Sequence, residues 1–213
     1  MKKRIFLFIT GLLLMTGISL LFIYRQKSDR EEQNSNYTLT LQEKQLLQEG
    51  DIILRHGFGL ISDAIVRYAH EKYPVSHCGI IVGDSLGGLS VIHTVSNTLA
   101  AVDGMQKDPL NVFIRGSQPH SVIVARYRYE NDSMKRKMAE QAYYYLSKQI
   151  RFDNRFDASD STAFFCTELI WNVFKHAIQV DLNDSSVEQA AQCMRFTPFL
   201  DSSKFVIILN HHQ

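Results

Sequence analysis

The chain has 213 residues, 45% of them hydrophobic and 21% charged, with a formal net charge of +1. That length suits one globular domain plus an appendage, and the composition carries no signature of disorder. Near-neutral charge, without a basic cluster interleaved with aromatics, gives no footprint for nucleic acid, and no such partner is expected.

The appendage comes first. Lys2, Lys3 and Arg4 precede an uncharged run from Ile5 to Tyr24, closed by Arg25, Gln26 and Lys27. As a helix this run rises about 30 Å, the thickness of a bilayer's hydrocarbon core. Residues 1–25 therefore read as a membrane anchor or as a signal peptide cut after Gly17-Ile18-Ser19. Cutting there would leave Leu20-Leu21-Phe22-Ile23-Tyr24 as an exposed apolar terminus, which favours the uncleaved anchor. No cysteine lies near the run, so lipoprotein attachment is not expected. Basic residues flank both sides, but a very short tail usually stays inside, which puts the domain outside the cytoplasm. Residues 26–36 are polar and charged and read as a linker. Residues 37–213 form the domain.

Within the domain, Glu49-Gly50-Asp51 is a turn before a short buried strand, Ile52-Ile53-Leu54. Ile61, Ala64, Ile65 and Tyr68 recur at helical spacing and predict a helix from about Leu60 to His70, ended by Pro74. Strands are expected over His77–Gly83 and Ser90–Val95, joined by Asp84-Ser85-Leu86-Gly87, and again over Ser121–Tyr127. Asn131-Asp132-Ser133 caps a helix that reaches about Ser147. Cys166, Leu169, Ile170, Val173, Phe174 and Ala177 make the buried stripe of another helix, before a last strand over Phe205–Leu209. Strands and helices do not alternate as βαβ units. The expected fold is α+β, a small, mostly antiparallel sheet with packed helices, preceded by one transmembrane helix.

The three cysteines, Cys78, Cys166 and Cys193, are odd in number and widely spaced, so neither a disulfide framework nor a CxxC metal site fits. Cys166 falls in the first turn of its helix, where unpaired N–H groups and the helix dipole stabilise a thiolate. A small core residue on an apolar stripe would occupy the same position, so the stripe alone does not decide. His77 opens a strand of apolar or small residues, Cys78 to Gly83. His93 lies mid-strand. If Val82 pairs with Gly88, His77 falls opposite His93, at the roughly 5 Å spacing of cross-strand pairs.

Three separated motifs then carry a resemblance. Glu49-Gly50-Asp51-Ile52-Ile53, then Ser76-His77-Cys78-Gly79-Ile80-Ile81, then Phe152-Asp153 with Phe156 ahead of Phe165-Cys166-Thr167-Glu168-Leu169-Ile170, resemble the YiiX/YebB-like branch of the NlpC-type cysteine hydrolases. These are circularly permuted papain-fold proteins, related to the lecithin:retinol acyltransferase group, in which the histidine precedes the cysteine. The resemblance implies Cys166 as nucleophile, His77 as base, and a third polar residue on the following strand. His93 fills that place here, where many relatives carry an acidic residue. Cys78 stands where a small apolar residue is expected and reads as core.

The implied activity is amide hydrolysis through an acyl-enzyme, with the Cys166 amide as an oxyanion donor. Cell-wall peptide, that is peptidoglycan, is the candidate substrate for a domain outside a bacterial membrane. Acyl transfer or thioester cleavage on a lipid, and a catalytically silent binding module, are the alternatives. No cofactor or metal is expected. Geometry should bring a His77 nitrogen to the Cys166 sulfur and turn the other toward His93, which must then be neutral. Asp51 is expected to fix backbone, and Glu168 to face outward or buttress its helix. Asp153 has no assigned role. His70, His120, His176, His211 and His212 read as surface residues.

Overall fold

The computed structural model describes residues 2–84, 87–97, 102–158, 162–182 and 195–212. Residues 85 and 86, within the expected turn, and Cys193 lie outside these. The uncharged run begins a single helix, α1 (Lys2–Gln33), which carries on through the segment read as a linker. A short α2 (Leu41–Leu46) follows, capped by Thr40 and Glu43 in a reciprocal capping box.

Six antiparallel strands make the main sheet. They are β1 (Ile52–Arg55), β2 (His77–Gly83), β3 (Leu89–Val95), β4 (Gly104–Pro109), β5 (Ile123–Tyr127) and β8 (Phe205–Asn210), in spatial order β4-β3-β2-β1-β5-β8. A separate parallel pair joins β6 (Arg151–Phe152) to β7 (Ala163–Phe164). The helices are α3 (Leu60–Ala69), α4 (Leu110–Arg115), α5 (Asp132–Ser147) and α6 (Cys166–Ile178). The α+β reading is borne out. Strand β4 and helices α2 and α4 went unforeseen, because Gly104–Pro109 alternates poorly and six-residue helices carry too little periodicity to detect.

The two sheet faces bury different sets of side chains, as the period of two along a strand requires. On one face Ile52, Leu54, Cys78, Ile80, Val82 and Ile92 pack under α5 and α6, against Met138, Leu169, Ile170 and Phe174. On the other, Ile53, Ile81 and Val91 pack with Leu39, Phe113 and Ile114. The central strands are covered on both sides, so their ends, where β2 begins and α6 starts, are where polar groups can gather.

Register is the point on which the sequence reading needs correction. Val82 pairs with Ser90, not Gly88, a slip of two residues. Continued along the pair, this sets His93 level with Gly79 and diagonal to His77. An even slip leaves both imidazoles on one face.

Candidate active site

Gly79 is what lets the diagonal close. A Cβ there would stand 2.5 Å from Val91 Cγ1, 2.9 Å from the Ile92 carbonyl and 3.1 Å from His93 Cβ. With hydrogen in that place, the His93 ring tips across the gap. His77 Nε2 lies 3.0 Å from His93 Nδ1, and the rings meet nearly edge to face, 80° apart.

The relay does not end there. His93 Nε2 lies 3.0 Å from Asp108 Oδ2, on β4. A carboxylate only accepts, so His93 carries its proton on Nε2 and offers a bare Nδ1 to the Nε2–H of His77. That assignment leaves His77 Nδ1 as the one free lone pair of the chain. Sequence reasoning placed His93 here and missed Asp108. An acidic residue stands in the site after all, one strand further out, on a strand whose existence the sequence did not reveal.

Electrostatics agree with neutral rings. Burial first, then His93 and Arg55, push the His77 imidazolium well below the ordinary histidine range. Burial lowers His93 too, opposed by its bond to Asp108. Asp108 is held below the usual carboxylate range, chiefly by the His93 bond.

Arg55 is the second residue missed. It pairs with His77 across β1 and β2. Its Nη1 donates to the Phe113 carbonyl at 2.6 Å, and its guanidinium lies 4.1 Å above the Phe113 ring. That ring also packs against His77 and His93, with centroids 5.9 and 5.1 Å away. Burial lowers Arg55 to about 10, opposed by the charges of Glu32, Asp108 and Cys166. It stays cationic at neutral pH. Among the described residues its buried Nε has no hydrogen-bond partner.

Cys166 is the first residue of α6, and the preceding Phe165 has no side-chain oxygen to cap the helix. The amides that a serine or aspartate cap would occupy are left for the sulfur. Glu168 steadies the turn from within, its Oε2 accepting the Phe165 N–H at 3.2 Å. It is fully buried and so does not face outward.

The neighbouring Cys78 side chain, with the N–H groups of Cys78, Thr167 and Cys166 itself, lowers the Cys166 thiol against the effect of burial. Burial and the neighbouring Cys166 sulfur drive Cys78 well above the ordinary thiol range. Cys78 is core, as expected, yet it also touches the site. Cys78, which follows His77 along β2, faces the Cys166 sulfur, while the His77 ring packs with His93 and Phe113.

The remaining candidates sort into scaffolding. Asp51 is fully buried, accepts the Gln48 N–H at 2.8 Å and binds Arg126 through both oxygens. Asp153 accepts the amides of Arg155 and Asp157, a turn brace beneath the Phe156–Phe165 ring contact. His70, His120 and His176 are exposed. His211 and His212 are partly buried, bonded to Glu43 and the Ser121 carbonyl, because β8 brings the C-terminal segment across α2 and β5. Among the described residues no group of three His, Cys, Asp or Glu is gathered as for a metal.

A thiol at a helix start, a histidine opening the next sheet's inner strand, and the order histidine before cysteine define a permuted papain-like architecture. A family model described as permuted papain-like amidase enzyme, YaeF/YiiX, C92 family, matches residues 46–193. The chain belongs to that family. Among solved structures it is similar to one titled metalloprotein yiiX from Escherichia coli O157:H7, at 20% identity and a TM-score of 0.59, covering 76% of this chain and 97% of that one. No curated protein matches.

Proposed function

We propose that this protein is a cysteine amidase that cleaves an amide bond through an acyl-enzyme on Cys166. His77 Nδ1, the nitrogen that His93 leaves free, takes the thiol proton. The sulfur attacks the carbonyl carbon and forms the S–C bond. The imidazolium returns the proton to the leaving amine as the C–N bond breaks. Water, deprotonated by His77, then hydrolyses the thioester and frees the thiol. The oxyanion of each tetrahedral intermediate accepts from the Cys166 N–H at the uncapped start of α6. His93 and Asp108 hold the His77 tautomer, in the way a triad's third member orients its base.

The observation that carries this reading is the chain His77–His93–Asp108, two hydrogen bonds of 3.0 Å that support His77 Nδ1 as the base. A silent binding module has no use for such a relay. We further propose that α1 is retained as an anchor with the domain outside the cytoplasm. Among the described residues α1 is the one helix long and apolar enough to cross a membrane, and Tyr24 and Ser28 near its C-terminal end touch the domain.

Full-length protein, with C166A and H77A variants, is incubated with purified peptidoglycan and, separately, with lipid extract, and products are read by mass spectrometry. New amine and carboxylate termini that need both Cys166 and His77 are expected. Turnover that persists in C166A would overturn the reading.

A further inference from the structure

Cys78 takes no part in amide cleavage, yet it stands against the nucleophile. The period of two along β2 puts it on the sheet face with Ile80 and Val82, the face that α5 and α6 cover. Cys166 begins α6, and its side chain packs onto that same buried cluster. Both the side chain and the N–H of Cys78 face the Cys166 sulfur. Both thiols are free.

The two sulfurs differ in access and in acidity. Cys78 is completely buried, whereas Cys166 is only partly so. A small oxidant arriving from water therefore meets Cys166 first. Cys166 is also the more acidic, because the Cys78 side chain and the surrounding N–H groups lower it. Burial, with the Cys166 sulfur beside it, keeps Cys78 protonated. An accessible, thiolate-prone sulfur beside a sheltered thiol is the pairing of an attacking and a resolving cysteine.

We infer that Cys166 reacts with hydroperoxides and that Cys78 captures the product as a reversible Cys78–Cys166 disulfide, which arrests the site. In the first step the Cys166 thiolate attacks a peroxide oxygen. The S–O bond forms and the O–O bond breaks. The alkoxide, or hydroxide from hydrogen peroxide, leaves and takes up the proton that the thiol released. Sulfur is oxidised by two electrons to a sulfenic acid, and the peroxide is reduced. In the second step the Cys78 sulfur displaces the hydroxyl. The S–S bond forms, the S–O bond breaks, and hydroxide leaves with the Cys78 proton as water. An added dithiol reverses the bridge, ending as a disulfide itself and returning both thiols. Without a neighbouring thiol the sulfenic acid goes on to sulfinic acid, which thiols do not reduce. This chemistry needs the reading of Cys166 as a reactive thiolate. It does not need an amide substrate.

Full-length protein in detergent is reduced, freed of reductant, treated with a small excess of hydrogen peroxide and then blocked with iodoacetamide. Trypsin leaves the three cysteines on separate peptides, 73–107, 156–175 and 176–195, so mass spectrometry reads which sulfurs join. The comparison variant is C78S, which keeps a hydrogen-bonding hydroxyl beside Cys166 and cannot form the bridge. Products are compared at equal loss of the Cys166 thiol, so that a change in its acidity does not enter.

The native chain is expected to give peptide 73–107 joined to 156–175 within one monomer. Iodoacetamide labelling of Cys166 should fall about tenfold and return with dithiothreitol. C78S should instead collect sulfinic acid at Cys166 that dithiothreitol leaves in place. Native Cys166 driven to sulfinic acid while Cys78 stays a free thiol overturns the capture, and so does a bridge made through Cys193. So does a Cys166 that iodoacetamide labels and peroxide leaves alone. All three results leave the amidase reading standing. A Cys166 inert to both reagents overturns the reactive thiolate, and both readings with it.

Discussion

His93 donates its Nε2–H to Asp108 Oδ2 across 3.0 Å, and this one bond decides the protonation of the whole relay. Asp108→Asn presents an amide that can donate to Nε2. His93 then carries its proton on Nδ1, facing the Nε2–H of His77, and the His77 ring must move its proton to the nitrogen meant to be the base. We expect kcat/KM to fall about 10²- to 10⁴-fold, the range of a lost general base. Circular dichroism should be unchanged.

A base kept neutral by burial should work in mild acid. Since His77 is lowered well below 6.5, the acid limb of kcat/KM should lie below that value. Arg55→Met removes a positive charge that disfavours the imidazolium, so the limb should move to higher pH. Stability follows the same sign. The unfolded chain binds these protons more readily, so stability is lost as pH falls below about 6.5. A pH–rate profile and urea melts between pH 5 and 8 check both.

Gly79→Ala places a methyl within 2.5 Å of Val91 Cγ1 and 2.9 Å of the Ile92 carbonyl, a backbone atom that cannot swing aside. Overpacking of this kind costs about 1–3 kcal/mol. The midpoint of urea unfolding should drop. Activity should drop further than stability alone explains, because His93 Cβ is the third atom in the way.

Cys78→Ala deletes the side chain that lowers the Cys166 thiol. Hydrogen bonds to charged groups contribute about 1.5–3 kcal/mol, so iodoacetamide labelling of Cys166 at neutral pH should slow by about tenfold or more. The pH profile of labelling should shift upward. A slower rate at every pH, with no shift, would assign Cys78 to packing alone.

Away from the site, Glu130 is raised to about 7 by burial and by Asp51. Its side chain is 8% exposed, 3.6 Å from Arg126 Nε, with Oε2 unpartnered among the described residues. An acid raised in the fold contributes stability at low pH and loses it as pH rises through the folded value. Glu130→Gln should therefore be about 1 kcal/mol more stable than the native chain at pH 8, after discount for solvent screening, and no more stable at pH 5. Urea denaturation at the two pH values decides.

The sequence by itself determined the local elements and two of the site's parts. A short run of apolar and small residues gave His77–Gly83 as β2, helical stripes gave α5 and α6, and the position of Cys166 at a helix start followed from its own stripe. These rest on interactions within a few residues, which composition and spacing record directly. What only the tertiary structure decided depends on register and on partners far along the chain. A two-residue slip between β2 and β3 turned a facing pair of histidines into a diagonal one that Gly79 makes possible. Asp108 enters only because β4 pairs with β3, and Arg55 only because β1 sets it opposite His77. The contact of Tyr24 and Ser28 with α3 and Gly59 lies on one helix face, yet that face is polar and reads as a solvated linker until a partner surface is in place. Hydrophobic patterning encodes which residues are buried. It does not encode which buried polar groups meet, since that is settled by the packing of whole elements against each other.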